Sequence, residues 1–224
     1  DRVSDVVGPT LLDVYRNGTA PVHDAIRPAA NAPQRFQNWP EKADTALPYY
    51  AYICSHRELE HLELQLNTPW ALAEKLDGSG LDATYSYVVL DMPGHLGRLV
   101  ANCIVAATLV IIPVDVLDRS GVINLRDVLQ AISMVGKMSN AHPANVRIAL
   151  NRTAKRVLTE PHFAELKLVA KQNGLEMMET MIPQTASIQN AWYANEPVGE
   201  FDHRSAGARA FRDLAAEVVE ILGD

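Results

Sequence analysis

The sequence predicts an α/β fold of three layers, with a mostly parallel sheet and helices on both faces. Three observations carry this expectation. From residue 49 onward, strand-like and helix-like segments alternate five times, and right-handed crossovers turn such alternation into a parallel sheet. Segments 87–91 and 109–114 are near-continuous apolar runs, as strands covered on both faces require. The composition is 48% hydrophobic but only 6% aromatic, an aliphatic mix that suits helices on a buried sheet better than a β-sandwich. At 224 residues, with no internal repeat or evident linker, the chain is expected to form a single domain over 1–224.

The elements follow in order. Thr10 can cap a first short helix that Asn17-Gly18 ends, and 24–28 reads as a second. Residues 29–47, rich in Ala, Pro, Asn and Gln, read as a surface loop. The run 49–54 is β-prone. Ser55 with Glu58 forms a capping box for the next helix. Helix 68–77 opens at Thr68-Pro69 and closes at Asp77-Gly78-Ser79-Gly80. Strand 87–91 leads through the loop 92–96 into helix 97–107, then strand 109–114. Helix 124–138, strand 145–150, helix 161–173, strand 176–182, helix 186–194 and a closing helix 204–222 complete the chain.

Charge and cysteines narrow the function. The formal net charge is -7, so any contact with nucleic acid has to come from a local basic patch. Cys54 and Cys103 read as buried free thiols of a reducing compartment. No apolar stretch is long enough to span a bilayer, and residues 1–25 show no signal-peptide pattern.

Three strand-to-helix connections carry candidate chemistry. Asp91 ends an apolar strand and precedes Pro93-Gly94. Its carboxylate can serve Mg²⁺ or cap a helix, and Gly94 lets the backbone approach a phosphate. Asn151 follows strand 145–150; its amide can read a purine through donor and acceptor, or hold a turn. Pro183 ends strand 176–182 ahead of the next helix. Ligands of open α/β sheets bind at the carboxyl ends of strands, so three such loops at one edge point to a site.

In their order and spacing these residues resemble the ParA/MinD-type P-loop ATPases. The segments are Leu90-Asp91-Met92-Pro93-Gly94, Val110-Ile111-Ile112-Pro113-Val114, Leu150-Asn151-Arg152 and Met181-Ile182-Pro183-Gln184-Thr185-Ala186. Pro9-Thr10-Leu11-Leu12-Asp13-Val14, Ser55-His56-Arg57-Glu58-Leu59 and the final helix extend the likeness over nearly the whole chain. The resemblance implies an ATPase that dimerises around ATP and moves plasmids, chromosomes or other cargo. It implies that Asp91 serves the Mg²⁺ shell, that Gly94 belongs to switch II, and that Asn151 and Pro183 flank the adenine.

One departure bears on activity. The family's Walker A, of the form K-G-G-x-x-K-T, is expected before residue 1 together with a further strand. No Gly-rich run followed by Lys and Ser or Thr stands anywhere in the chain. Without that cradle the β- and γ-phosphates lack their backbone N–H groups and lysine charge. The polypeptide as it stands is therefore expected to bind ATP weakly, to hydrolyse it negligibly, and to expose a sheet edge.

The expected partners are a second copy, non-specific DNA and a partition adaptor protein, in the cytoplasm and away from membranes. Between residues 152 and 171 the basic residues Arg152, Lys155, Arg156, Lys167 and Lys171 face only two acidic ones, Glu160 and Glu165. That local excess suits phosphate contacts or a solvated helix face. MinD-like relatives carry a basic membrane-binding tail, whereas this chain ends in acidic Glu217-Val218-Val219-Glu220-Ile221-Leu222-Gly223-Asp224. Two alternatives stand beside partition: a nucleotide-independent interaction module, and a cobyrinate-synthase-like ATPase of the same fold.

Overall fold

The computed structural model describes residues 14, 26–28, 51–53, 68–92, 97–117, 120–139, 145–154 and 161–223. The chain groups into two compact units. One holds Asp1–Ala32, Glu41–Ala107 and Ala131–Pro143; the other holds Pro33–Pro40, Thr108–Gln130 and Ala144–Asp224.

In the first unit, β1 (Ile26–Pro28) pairs antiparallel with β2 (Ala51–Ile53), with Ile26 opposite Ile53. The expected helix over 24–28 is corrected to a strand. The residue before a proline is biased toward extended backbone, so Arg27-Pro28 favours pairing over a helical turn. Helix α1 (Ala71–Leu76) ends where Gly78 and Gly80 take positive φ, before a 3-10 turn at Leu81–Ala83. Val14 and Leu81 are buried together, with Ile53, Leu76 and Tyr85 packed around them.

Helix α2 (Arg98–Ala106) packs on α1 through a polar staple. The Asn102 side chain is fully buried. Its Oδ1 accepts from the Leu72 N–H at 3.1 Å, and its Nδ2 donates to the carbonyls of Thr68 at 3.1 Å and Arg98 at 2.9 Å. A buried amide is tolerated because each of these groups has a partner. Cys103, on the same helix, is a half-buried free thiol, and burial pushes it up to about 11. It stays protonated at neutral pH, as a structural rather than a reactive cysteine does. Cys54 lies outside the described residues.

Segment 87–91 departs from expectation. It belongs to neither sheet, and Val89 is 89% exposed. Its residues have the composition of a strand covered on both faces. A strand forms, however, only where neighbouring edges take its N–H and C=O groups, and no described strand pairs with it.

The second unit carries the parallel sheet, in the order β3 (Leu109–Asp115), β4 (Asn145–Thr153), β5 (Glu176–Pro183). Every step from Leu109↔Asn145 to Asp115↔Asn151 is in register. Ile148, Ala149 and Leu150 are buried in succession, which is what a central strand with both faces covered shows. Helix α3 (Ser120–Ser139) follows β3, its residues up to Gln130 falling in this unit. Helix α4 (Pro161–Gln172) buries Phe163, Leu166, Val169 and Ala170. Helix α5 (Ala186–Ala194) starts at Thr185, whose Oγ1 accepts from Ile188 N–H at 3.4 Å. A short α6 (Val198–Phe201) leads to α7 (Ala206–Leu222), capped by Ser205 Oγ, which accepts from Ala208 N–H. The α/β class with a parallel sheet and packed helices is as the sequence predicts.

Strand β5 is clasped on its outer side by the last helix. Ile148 pairs with Met177 and Leu150 with Met181, so two steps along β4 match four along β5. The bulge this creates points two consecutive N–H groups outward. The Glu217 carboxylate on α7 accepts both, from Glu179 at 2.6 Å and from Thr180 at 2.9 Å. Partial desolvation opposes its charge. The backbone bonds from Thr180 and Glu179, the Thr180 hydroxyl and the charge of Arg147 outweigh it and hold the carboxyl below its ordinary range.

A depressed carboxyl contributes stability above its unfolded pKa, and that contribution is lost as pH falls through the folded value. Glu217→Gln is therefore expected to cost about 1 kcal/mol at neutral pH, after discounting for solvent screening, and to lose that difference in acid. Urea midpoints measured from pH 7 down to pH 3 check this. Parallel curves for the two proteins would remove Glu217 as the cause.

Candidate functional site

Sheet pairing continues past the strand ends of the second unit, and this sets the geometry of its carboxyl edge. Val116 N–H donates to the Asn151 carbonyl at 3.3 Å, and Gln184 N–H to the Thr153 carbonyl at 3.0 Å. The Thr153 hydroxyl donates to the Ile182 carbonyl at 3.1 Å, while Thr153 stands opposite Pro183 in the ladder. Asn151, Arg152 and Pro183 are thus brought to one edge by adjacent parallel strands.

Arg152 adopts φ 55, a left-handed conformation that costs a non-glycine residue about 1 kcal/mol or more. Two contacts hold it there. Asn151 Oδ1 accepts from the Arg152 N–H at 3.0 Å, and Arg152 Nη1 donates to Asp115 Oδ2 at 2.7 Å. The other Asp115 oxygen, Oδ1, accepts from Leu117 N–H at 2.9 Å and fixes the loop after β3. Exposed ion pairs contribute a fraction of a kcal/mol, so the pair orients Arg152 more than it stabilises the fold. Asn151 therefore does hold a turn, one of the two roles open to it from sequence.

Asp115 was not among the residues singled out from sequence. It ends an apolar strand as Asp91 does, and that shared signal could have found it. His162 Nε2 lies 2.9 Å from the Val116 carbonyl, tying the start of α4 to the same loop.

The remaining candidates belong to other segments of the chain. Asp91 is an exposed residue of the first unit, in irregular backbone rather than at a strand end. Gly94, Lys155 and Arg156 lie outside the described residues. Lys167 and Lys171 are exposed on α4, with Lys167 Nζ 4.8 Å from the centre of the Phe163 ring. Among the described residues, no group of three or more His, Cys, Asp or Glu side chains is placed to hold a metal.

No protein-family model matches the chain. The chromosome partitioning protein ParA of Caulobacter vibrioides is 25% identical over 214 residues, covering 94% of this chain and 73% of that protein.

The chain is a relative of the ParA/MinD-type P-loop ATPases.

The sporulation initiation inhibitor protein Soj of Bacillus subtilis is 28% identical over 134 residues, 60% of the chain. That match spans about half of Soj, 52% of its length. Among solved structures, apo McdA of Cyanthece superposes with a TM-score of 0.73 at 18% identity, over 96% of this chain and 79% of McdA. Cobyrinic acid a,c-diamide synthase of Mycobacterium smegmatis gives 0.67 at 20% identity, over 96% and 74%. Both structures share the fold, and a fold alone does not fix a function. The sequence relatives named here are partition and sporulation proteins.

ATP and Mg²⁺ are the ligands that a ParA/MinD-type relative implies. An amide and a proline at the carboxyl edge suit a purine base, by hydrogen bonding and by apolar contact. The triphosphate end finds no Gly-rich run with a lysine in the sequence.

Proposed function

We propose that this chain carries the base-binding edge of a ParA-like ATPase of plasmid or chromosome partition. The observation that carries the reading is the carboxyl edge where Asn151 and Pro183 stand on neighbouring parallel strands, in a chain similar to ParA over 94% of its length. In this reading Asn151 and Pro183 flank the adenine, and Asp91 and Gly94 serve Mg²⁺ and the γ-phosphate once a phosphate loop is present. The intact protein dimerises on ATP in the cytoplasm, binds DNA without sequence preference and meets an adaptor, while this chain alone is ATPase-deficient.

Among the described residues no helix is long and apolar enough to cross a membrane. A second reading is a nucleotide-independent module that pairs with a partition partner.

DNA contact is assigned to Arg152, Lys155, Arg156, Lys167 and Lys171. Arg152 is engaged by Asp115, and Lys167 lies against Phe163, so the proposal rests most on Lys155, Arg156 and Lys171. Changing Lys155 and Arg156 together to Glu is expected to weaken binding to random-sequence duplex. It should also reduce the slope of log affinity against log salt by about 2, one for each lost phosphate contact. Filter binding across a salt series measures both quantities. An unchanged slope would move the patch elsewhere.

A further inference from the structure

The ladder between β4 and β5 is broken twice, in opposite senses. From Ile148↔Met177 to Leu150↔Met181, two steps along β4 match four along β5. From Leu150↔Met181 to Thr153↔Pro183, three steps along β4 match two along β5. The first break gives β5 two extra residues, and the second gives β4 one.

Each break is held by an acid from outside the strand pair. Glu217 of α7 takes the Glu179 and Thr180 N–H groups within the β5 bulge. The β4 bulge contains Arg152 at φ 55, and a left-handed residue is a recurring feature of strands that carry one residue too many. Asp115 of β3 grips the Arg152 guanidinium at 2.7 Å. One acid thus acts on β4 from β3, and the other acts on β5 from α7.

The register at the carboxyl edge follows from both. Counted onward from Ile148↔Met177, an unbroken ladder would set Thr153 opposite Ile182. With the β4 bulge alone Thr153 would face Met181, and with the β5 bulge alone it would face Gln184. Only the two together set it opposite Pro183, as observed. A slip of one residue turns side chains to the other face of a sheet, and a slip of two moves them along it. Each alternative therefore takes Pro183 from its place against the end of β4. The observed setting is fastened by the Gln184 N–H on the Thr153 carbonyl at 3.0 Å and the Thr153 hydroxyl on the Ile182 carbonyl at 3.1 Å.

We infer that Glu217 and Asp115 are positioning residues for the candidate base edge, acting through two opposed bulges that jointly set Pro183 against the end of β4. The consequence for a purine rests on the base-binding reading of that edge. The register does not, and its test needs no nucleotide.

Amide hydrogen exchange of the full chain, followed by NMR, provides the test. The readout is the exchange rate of the Gln184 N–H relative to that of Leu166, a buried residue within α4. A uniform loss of stability speeds both amides and leaves their ratio unchanged. Glu217→Ala is expected to raise the ratio about tenfold. Glu217→Gln, which keeps one acceptor oxygen, should raise it about threefold. Val122→Ala, a truncation in the buried face of α3, should leave it unchanged. In an Asp115→Asn background Glu217→Ala should raise the ratio about threefold or less, because opposed bulges offset one another and their effects do not multiply. Faster exchange confined to the Glu179 and Thr180 amides would make Glu217 a local cap and overturn the inference. An equal change of ratio in Val122→Ala would overturn it as well. A full tenfold effect in the Asp115→Asn background would make the bulges independent and overturn it too. Should Glu217→Ala not fold, Glu217→Gln carries the same comparisons.

Discussion

The 224-residue chain is expected to elute at one position in size-exclusion chromatography with and without ATP and Mg²⁺. The same chain extended at its N-terminus by a lysine-bearing Walker A strand, loop and helix is expected to shift to a dimer and to hydrolyse ATP. In that extended protein Asp91→Ala should lower turnover on the order of a hundredfold or more, the scale of removing one group that stabilises transition-state charge. The reason is electrostatic. A triphosphate is held by converging backbone N–H groups, a helix N-terminus and a lysine, and a base contact does not replace them.

The one Gly-Ser-Gly run in the chain, residues 78–80, does another job. Gly78 and Gly80 take φ of 69 and 75 to end α1, and the Ser79 hydroxyl accepts from Leu81 N–H at 3.3 Å. No lysine follows them. The extension has a second expected effect. Segment 87–91 should gain hydrogen-exchange protection as a new neighbour takes its backbone groups, converting an exposed apolar run into a strand. A nucleotide-induced shift by the unextended chain would show a phosphate site that the sequence conceals. Normal turnover in the extended Asp91→Ala protein would remove Asp91 from the reaction.

What could be read from sequence was whatever a segment decides for itself. The strands at 109, 145 and 176 and the helices at 161, 186 and 206 follow from apolar periodicity, caps and breakers within each segment. Segment 87–91 is a miss of the opposite kind. Its residues state what environment they need, not whether the neighbours are there. Ile26–Pro28 misled for a similar reason, since its partner Ala51–Ile53 is distant in sequence. At the site, Asn151 and Pro183 were visible as strand ends. The left-handed Arg152 and its grip on Asp115 were not, because that ion pair joins residues on two strands and depends on their register. The end of β4 shows the same dependence. It runs on to Thr153 rather than stopping at Leu150, because Asp115 and Pro183 give its last residues something to pair with.

Gly121→Ala is expected to lower stability by about 3 kcal/mol or more, and to release Arg152 from Asp115 at the same time. Gly121 stands in the first turn of α3, just after the sheet edge. A Cβ there would lie 2.1 Å from the Asp115 carbonyl oxygen, 2.9 Å from Val114 Cγ1 and 3.2 Å from the Asp115 carbonyl carbon. The first obstacle is backbone, so no side-chain rotation relieves it, and the cost is that of overpacking without an escape. Either of two movements could make room. Shifting α3 outward unpacks Val122 and Leu125, which are 2% and 1% exposed. Shifting the end of β3 breaks the Asp115↔Asn151 register and draws the Asp115 carboxylate away from Arg152 and Leu117. Gly199→Ala is the matched control. It lies in the short helix α6 with nothing within 4 Å of an added Cβ, so it should be neutral or slightly stabilising. Urea midpoints of the two variants against the parent separate these outcomes. Equal midpoints for Gly121→Ala and Gly199→Ala would mean that the junction between β3 and α3 yields freely. In that case the position of Asp115, and with it the left-handed Arg152 that shapes this edge, would not be set by close packing at Gly121.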